Sequence, residues 1–122
     1  MKAPPPRRSS CPIACALDLF GDRWTLLLIR DLFLGKRRFE EFLASPERIA
    51  TNILSDRLKA LTAHGLVMRY ADPRDRRRVI YELTKQGRST RDLLLPLALW
   101  GLAHCSGTQA SPGSPFAPGP EP

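Results

Sequence analysis

Cysteine and histidine are scarce in this chain, with three Cys and two His among 122 residues. Three sparse thiols, an odd number, do not build a disulfide framework. His64 and His104 stand 40 positions apart, and no Ser–His–acid or Cys–His arrangement follows from local spacing. A glycine-rich phosphate loop is missing too. Cys11 and Cys15 lie about one helical turn apart, yet a structural zinc wants four ligands. No catalytic residue, metal or cofactor is therefore expected. Long apolar runs are also absent: no window reaches the roughly 20 continuous apolar residues of a membrane span. Lys2, Arg7 and Arg8 are not followed by an apolar stretch of signal-peptide form before Cys11. The expectation is a cytoplasmic protein without a membrane partner.

What the chain does have is positive charge and proline. Nineteen Lys and Arg against 12 Asp and Glu leave a net charge of +7, which favours polyanionic partners and says nothing of the fold. The surplus is concentrated: Lys36 to Arg78 holds 11 basic and 6 acidic residues. Most of the 12 prolines gather at the ends, as Pro4, Pro5 and Pro6, then Pro112, Pro115, Pro118, Pro120 and Pro122. Residues 1–10 are expected to form a mobile basic arm. Residues 106–122, mainly Gly, Pro, Ser and Ala, bury too little apolar surface to offset their ordering entropy and are expected to be a disordered tail. Residues 11–105 remain as one domain, of a size that a partner subunit would help to stabilise.

Within that domain the periodicity is mostly helical. Pro12 suits a first helical turn, Ile13, Ala16, Leu17 and Phe20 follow at helical spacing, and Gly21 ends the segment. Asp22 can cap a second helix that runs to Leu34. A short third helix is expected from about Arg38 to Ala44, before Ser45-Pro46. A fourth starts near Ala50 or Thr51 and runs to His64, with Leu54, Leu58 and Leu61 on one stripe. The rhythm then changes to period two in Leu66–Tyr70 and Val79–Leu83, separated by a charged turn over Asp72–Arg77. A last helix is expected from Lys85 to Ala103, kinked or interrupted at Pro96. The sum is mainly α with a small β-hairpin. Helix, break, helix and hairpin together make the plan of a winged helix-turn-helix, whose second helix enters a major groove.

With the three leucines inward, the fourth helix presents Thr51, Asn52, Ser55, Asp56 and Lys59 on its outer side. Asn pairs bidentately with an adenine edge, and Thr and Ser donate to bases or phosphates. Arg74, Arg76, Arg77 and Arg78 surround Asp75 near the hairpin tip, where the planar guanidinium fork suits phosphate. Lys36, Arg37 and Arg38 can steady the backbone on one flank. A plain solvated face and a surface-charged loop are the bland alternatives. Cys11, at a helix N-terminus, is a candidate reactive thiol, or an ordinary small residue.

These residues stand in a recognisable order: Cys11-Pro-Ile, Leu17-Asp-Leu-Phe-Gly-Asp-Arg-Trp24, Leu28-Ile-Arg-Asp-Leu, Arg38-Phe39, Ile49 to Leu58, Gly65-Leu-Val and Tyr81 to Gly87. From about Cys11 to Gly101 the chain resembles the HxlR-type bacterial transcription regulators. The resemblance implies a homodimeric winged-helix regulator that binds double-stranded DNA at a near-palindromic operator, read here as a repressor. It places the dimer interface on the N- and C-terminal helices, through Ile13, Leu17, Leu94, Leu97 and Trp100. It makes Thr51 to His64 the recognition helix and Asp72 to Arg78 the wing. The expected DNA contacts are Arg38, Thr51, Asn52, Ser55, Arg57, Lys59, Arg74, Arg76, Arg77 and Arg78. Cys11 matches the family's N-terminal cysteine, a sensor of oxidants or electrophiles in some members; Cys15 is outside the shared pattern. The wing departs from the family in reading Arg-Asp-Arg-Arg-Arg where prolines are common. A small-molecule effector stays unassigned, and a winged-helix protein-interaction module is the alternative, because the fold alone fixes no ligand.

Overall fold

Pro12 opens the first helix, α1 (Pro12–Phe20), where its missing N–H has no helical partner to lose. At the other end the Gly21 N–H bonds the Leu17 carbonyl at 2.8 Å. A Cβ on Gly21 would lie 2.5 Å from that same oxygen, so glycine alone closes this turn without a shift. Asp22 then starts α2 (Thr25–Phe33): its Oδ2 accepts the N–H groups of Trp24 at 2.9 Å and Thr25 at 3.0 Å. Those are the donors that a helix start leaves without internal acceptors. In α3 (Phe39–Leu43) the Glu41 carboxylate reaches back to the Arg38 N–H at 3.1 Å. The fourth helix, α4 (Thr51–Ala63), ends before Gly65, whose φ of +74° suits glycine.

This computed structural model describes residues 7–110. The expected arm over residues 1–6 and the expected tail over 111–122 lie outside the described residues. Of the arm's remainder, Arg8 folds back onto α1, its Nε 2.6 Å from the Asp18 carboxylate and an NH2 3.2 Å from the Ala14 carbonyl. Thr108, just past the domain's expected end, likewise turns back on α6, its hydroxyl 3.2 Å from the Gly101 carbonyl.

The core is assembled where α2, α3 and α4 meet the base of the hairpin. Leu28, Ile29, Phe42, Leu54, Leu58, Leu61, Leu66 and Val67 are all buried there. Leu54, Leu58 and Leu61 are 0%, 1% and 0% exposed, and each such side chain contributes about 1.5–3 kcal/mol through burial.

Asp31, 2% exposed, sits at the edge of this core. It accepts from the Ser45 hydroxyl at 2.5 Å and from Arg30 at 2.9 Å, with Lys36 Nζ at 3.6 Å. Arg30 also grips Glu47 through two bonds of 2.8 Å. A buried carboxylate needs such partners, and here they fasten the turn between α3 and α4 to α2.

The hairpin is longer and its turn tighter than the sequence pattern implies. Strands β1 (Val67–Asp72) and β2 (Asp75–Leu83) pair antiparallel in one register from Val67 with Leu83 to Ala71 with Val79; past a bulge in β2, Asp72 pairs with Asp75. Only Pro73 and Arg74 form the turn, and Arg76, Arg77 and Arg78 make the bulge of β2, opposite no residue of β1. The Asp72 carboxylate decides this, by accepting the Arg74 N–H at 2.9 Å and closing the turn at once. The Tyr81 N–H bonds the Arg37 carbonyl at 2.8 Å, so the segment before α3 lies along β2. Tyr81 packs edge-on to Phe42, with ring centroids 6.2 Å apart.

The expected closing helix is two helices, α5 (Lys85–Arg88) and α6 (Arg91–His104). The interruption falls at Ser89–Thr90, because the Ser89 and Thr90 hydroxyls bond the carbonyls of Gln86 and Gly87, both at 2.5 Å. Such local bonds compete with the helix ladder. Pro96 lies inside α6 without ending it. The one carbonyl it leaves unserved belongs to Asp92, an exposed residue that water can reach.

Gly87 is buried under the hairpin, and a Cβ there would fall 2.0 Å from the Leu66 carbonyl oxygen. Backbone cannot yield as a side-chain tip can. Gly87→Ala is expected to cost about 1–3 kcal/mol in urea unfolding, and an unchanged midpoint would contradict this packing.

Candidate nucleic-acid interface

Because the three leucines of α4 are fixed inward, its opposite side is set. Thr51, Asn52, Asp56 and Lys59 are exposed and Ser55 is half-buried. No side chain caps this helix: Ala50, in extended conformation, is its N-cap. The first N–H groups of α4 and the positive end of its dipole thus accompany the short polar side chains. Arg48, exposed in the turn before α4, was not singled out from the sequence; it has a left-handed φ of 60°. A lone cation between the two helices of the pair was the available signal.

The cations of the module divide into two groups. Arg38 pairs with Asp72, tying the start of α3 to the wing tip, and Arg78 pairs with Glu40. Arg57 Nε lies 3.0 Å from Asp22, and one of its NH groups lies 3.1 Å from Asp56. Arg37 meets Glu82, which also accepts from the Tyr70 hydroxyl at 2.6 Å. Arg77 stands 91% exposed with only its near neighbour Asp75, at 3.2 Å. Arg74 and Arg76 are exposed and form no ion pair among the described residues. Arg38 and Arg78 thus meet acids that arrive from distant positions, which local spacing does not reveal.

The HxlR-like helix-turn-helix family matches residues 19–109, which include α4 and the whole hairpin. The chain belongs to that family. It is a family of transcriptional regulators and not of enzymes. Among similar proteins, an uncharacterized HTH-type transcriptional regulator of Synechocystis is 36% identical over 71% of this chain and 64% of its own length. The chain therefore spans less than two thirds of that relative. The HTH-type regulator YodB of Bacillus subtilis is 32% identical, covering 78% of this chain and 86% of YodB. In three dimensions, PA1607 superposes with a TM-score of 0.76 at 36% identity, over 86% of this chain and 72% of PA1607. The redox regulator HypR in its reduced form gives a TM-score of 0.69 at 31% identity, over 79% and 95% of the two chains.

Set on this HxlR-type frame, α1 and α6 each leave large apolar side chains uncovered. Ile13 is 69% exposed, Leu17 50%, Leu97 53% and Trp100 61%. Leu94, expected beside them, is only 7% exposed and belongs to the chain's own core. One turn of α6 separates the two roles, since Leu94 faces inward while Leu97 faces out. Cys11, Cys15 and Cys105 are all exposed. Cys11 is the N-cap of α1, its N–H donating to the Ser9 hydroxyl at 3.2 Å. Among the described residues no cluster of His, Cys, Asp and Glu could hold a metal, and no helix is long and apolar enough to cross a membrane.

The bracing acids predict a pH response. Hydrogen bonds from Arg30 hold the Glu47 carboxyl below its ordinary 4.5. The Arg74 N–H, then Arg38, hold Asp72 below 3.8. At Asp22 burial pushes upward, but bonds from Thr25 and Trp24 and the charge of Arg57 outweigh it and lower the pKa. Each folded carboxyl binds its proton less tightly than its unfolded form. Its contribution is complete above the ordinary carboxylate range and lost as pH falls through the lowered folded value. Melting temperature should therefore hold steady down to about pH 5 and drop below about pH 4. Glu47→Gln should flatten that drop; a melting temperature that rises on acidification would contradict the pairing.

Proposed function

We propose that this chain is a cytoplasmic, sequence-specific DNA-binding repressor that acts as a homodimer on a near-palindromic operator, with Cys11 sensing oxidants or electrophiles. The observation that carries the reading is the uncapped start of α4: Thr51 and Asn52 are exposed, with Leu54, Leu58 and Leu61 buried behind them. Thr51, Asn52 and Ser55 read base edges in the major groove, where Asn52 suits adenine. Arg74 and Arg76, with Arg77 beside them, contact phosphate from the wing and supply salt-dependent affinity. Lys59 and Arg48 add charge along the same module. Arg38 and Arg78 brace the wing through Asp72 and Glu40.

The uncovered side chains of Ile13 and Leu17 on α1 and of Leu97 and Trp100 on α6 support self-association. Apolar patches of this kind mark interaction sites, and two copies place two reading helices on two half-sites. Redox sensing has support from the relatives. HypR is a redox regulator with solved reduced and oxidised forms, and YodB has reduced, quinone-bound and diamide-treated structures. In this chain Cys11 is exposed at the first turn of a helix that contributes to the proposed interface.

Selection of bound duplexes from a random pool, at near-physiological salt and with or without diamide, tests the whole reading. A recovered inverted repeat whose binding weakens on oxidation is expected; recovery of no common sequence would overturn it. On the selected site Asn52→Ala should cost about 1–3 kcal/mol and leave random DNA nearly unaffected. Arg76→Ala should weaken both and lower the salt slope by about one. Trp100→Asp should sediment as a monomer where the parent is a dimer, and equal sedimentation would place the interface elsewhere.

A further inference from the structure

Arg57 stands on the reading helix but away from its reading side. A helix turns about 100° per residue, so Arg57 lies roughly 120° from Thr51 and roughly 160° from Ser55 around the α4 axis. Its guanidinium meets instead the turn between α1 and α2, where Nε is 3.0 Å from Asp22 Oδ2. That oxygen already accepts the N–H groups of Trp24 and Thr25. One carboxylate therefore starts α2 and holds α4. The side chains are 33% and 23% exposed, so the pair is less screened by water than a rim contact.

Two features couple this pair to α1. Gly21 binds the turn to the last turn of α1 through its N–H bond to Leu17, and it leaves no room for a Cβ. Any movement of α1 thus carries Asp22 with it. Arg57 Nε is also buried without a hydrogen-bond partner, although Asp22 is so near. The attraction is one of charge without alignment, and a small shift of the turn either completes the bond or breaks it.

We infer that Arg57 is a positioning residue and not a DNA ligand. Within the rotation that the buried leucines fix, the Asp22–Arg57 pair trims the seating of the reading helix according to the position of α1. What moves α1, whether subunit association or modification of Cys11, then changes discrimination between sequences and not general attraction to DNA. The inference rests on the operator-binding function proposed above.

The test uses the full chain, its selected duplex and a scrambled duplex, with affinity measured across a salt series. Arg57→Gln is expected to lower the ratio of the two affinities roughly tenfold, a usual size for coupling through a packed network. The salt slope is expected to stay unchanged. Asp22→Asn should reproduce this loss. Asparagine still caps α2, every cation stays in place, and the variant keeps the test open if Arg57→Gln does not fold. The double variant should lose no more than either single one. Arg57→Gln weakening both duplexes equally, with the slope reduced by about one, would mark a phosphate contact and overturn the inference while the operator reading stands. So would an Asp22→Asn variant that keeps the parent's ratio. A parent chain that does not distinguish the duplexes would overturn both.

Discussion

The rotation of α4 about its own axis is the constraint from which the rest follows. Leu54, Leu58 and Leu61 fill the space against Ile29 and Phe42, and none of these five exceeds 1% exposure. Advancing the helix by one residue would turn it by about 100°, lifting a leucine into water and pushing a polar group into the core. Either exchange costs more than the stability margin of so small a domain can absorb. The outer face is thereby decided by what is buried, and it happens to carry Thr51, Asn52, Asp56 and Lys59. The approach to α4 is fixed separately, since Asp31, Ser45, Arg30 and Glu47 bind the preceding turn to α2.

Electrostatics then divides the basic residues between bracing and display. A net charge of +7 suggests a polyanionic partner, but it does not say which arginines meet it. Asp72 and Glu40 engage Arg38 and Arg78, and so hold the wing against α3. Arg74 and Arg76 are left outward at and beside a two-residue turn, where no carboxylate of the described residues forms an ion pair with their guanidinium groups. Internal pairing of this kind fixes a direction for the wing. It also keeps the displayed charge small in number and near the tip.

Much of this was legible in the sequence wherever the determining signal is local. Pro12 and Gly21 bound α1, Asp22 starts α2, and the leucine spacing gives the inward face of α4; all depend on neighbours within a turn or two. What was not legible depends on contacts between distant positions. Arg38 and Asp72 are 34 positions apart, and Arg78 and Glu40 are 38, so no spacing rule reveals them. The split of the last helix turns on two hydroxyls that happen to bond carbonyls three residues back, where Pro96 was the more obvious breaker. Leu94 and Leu97 look alike in sequence. Only the packing of α6 on the core assigns one inward and the other to the exposed face with Trp100. The extension of the hairpin past its bulge was hidden by charge, because the three arginines there have no partner on β1 and read as loop.

The central claim is spatial: the start of α4 and the tip of the wing face one nucleic acid together. Titrating the isotopically labelled chain with its selected duplex and following backbone amide resonances tests this most directly. The account predicts that Thr51, Asn52, Ser55, Arg74 and Arg76 shift first and furthest, while Leu97 and Trp100 of α6 stay nearly still. Large shifts confined to α1 and α6, with α4 silent, would contradict it.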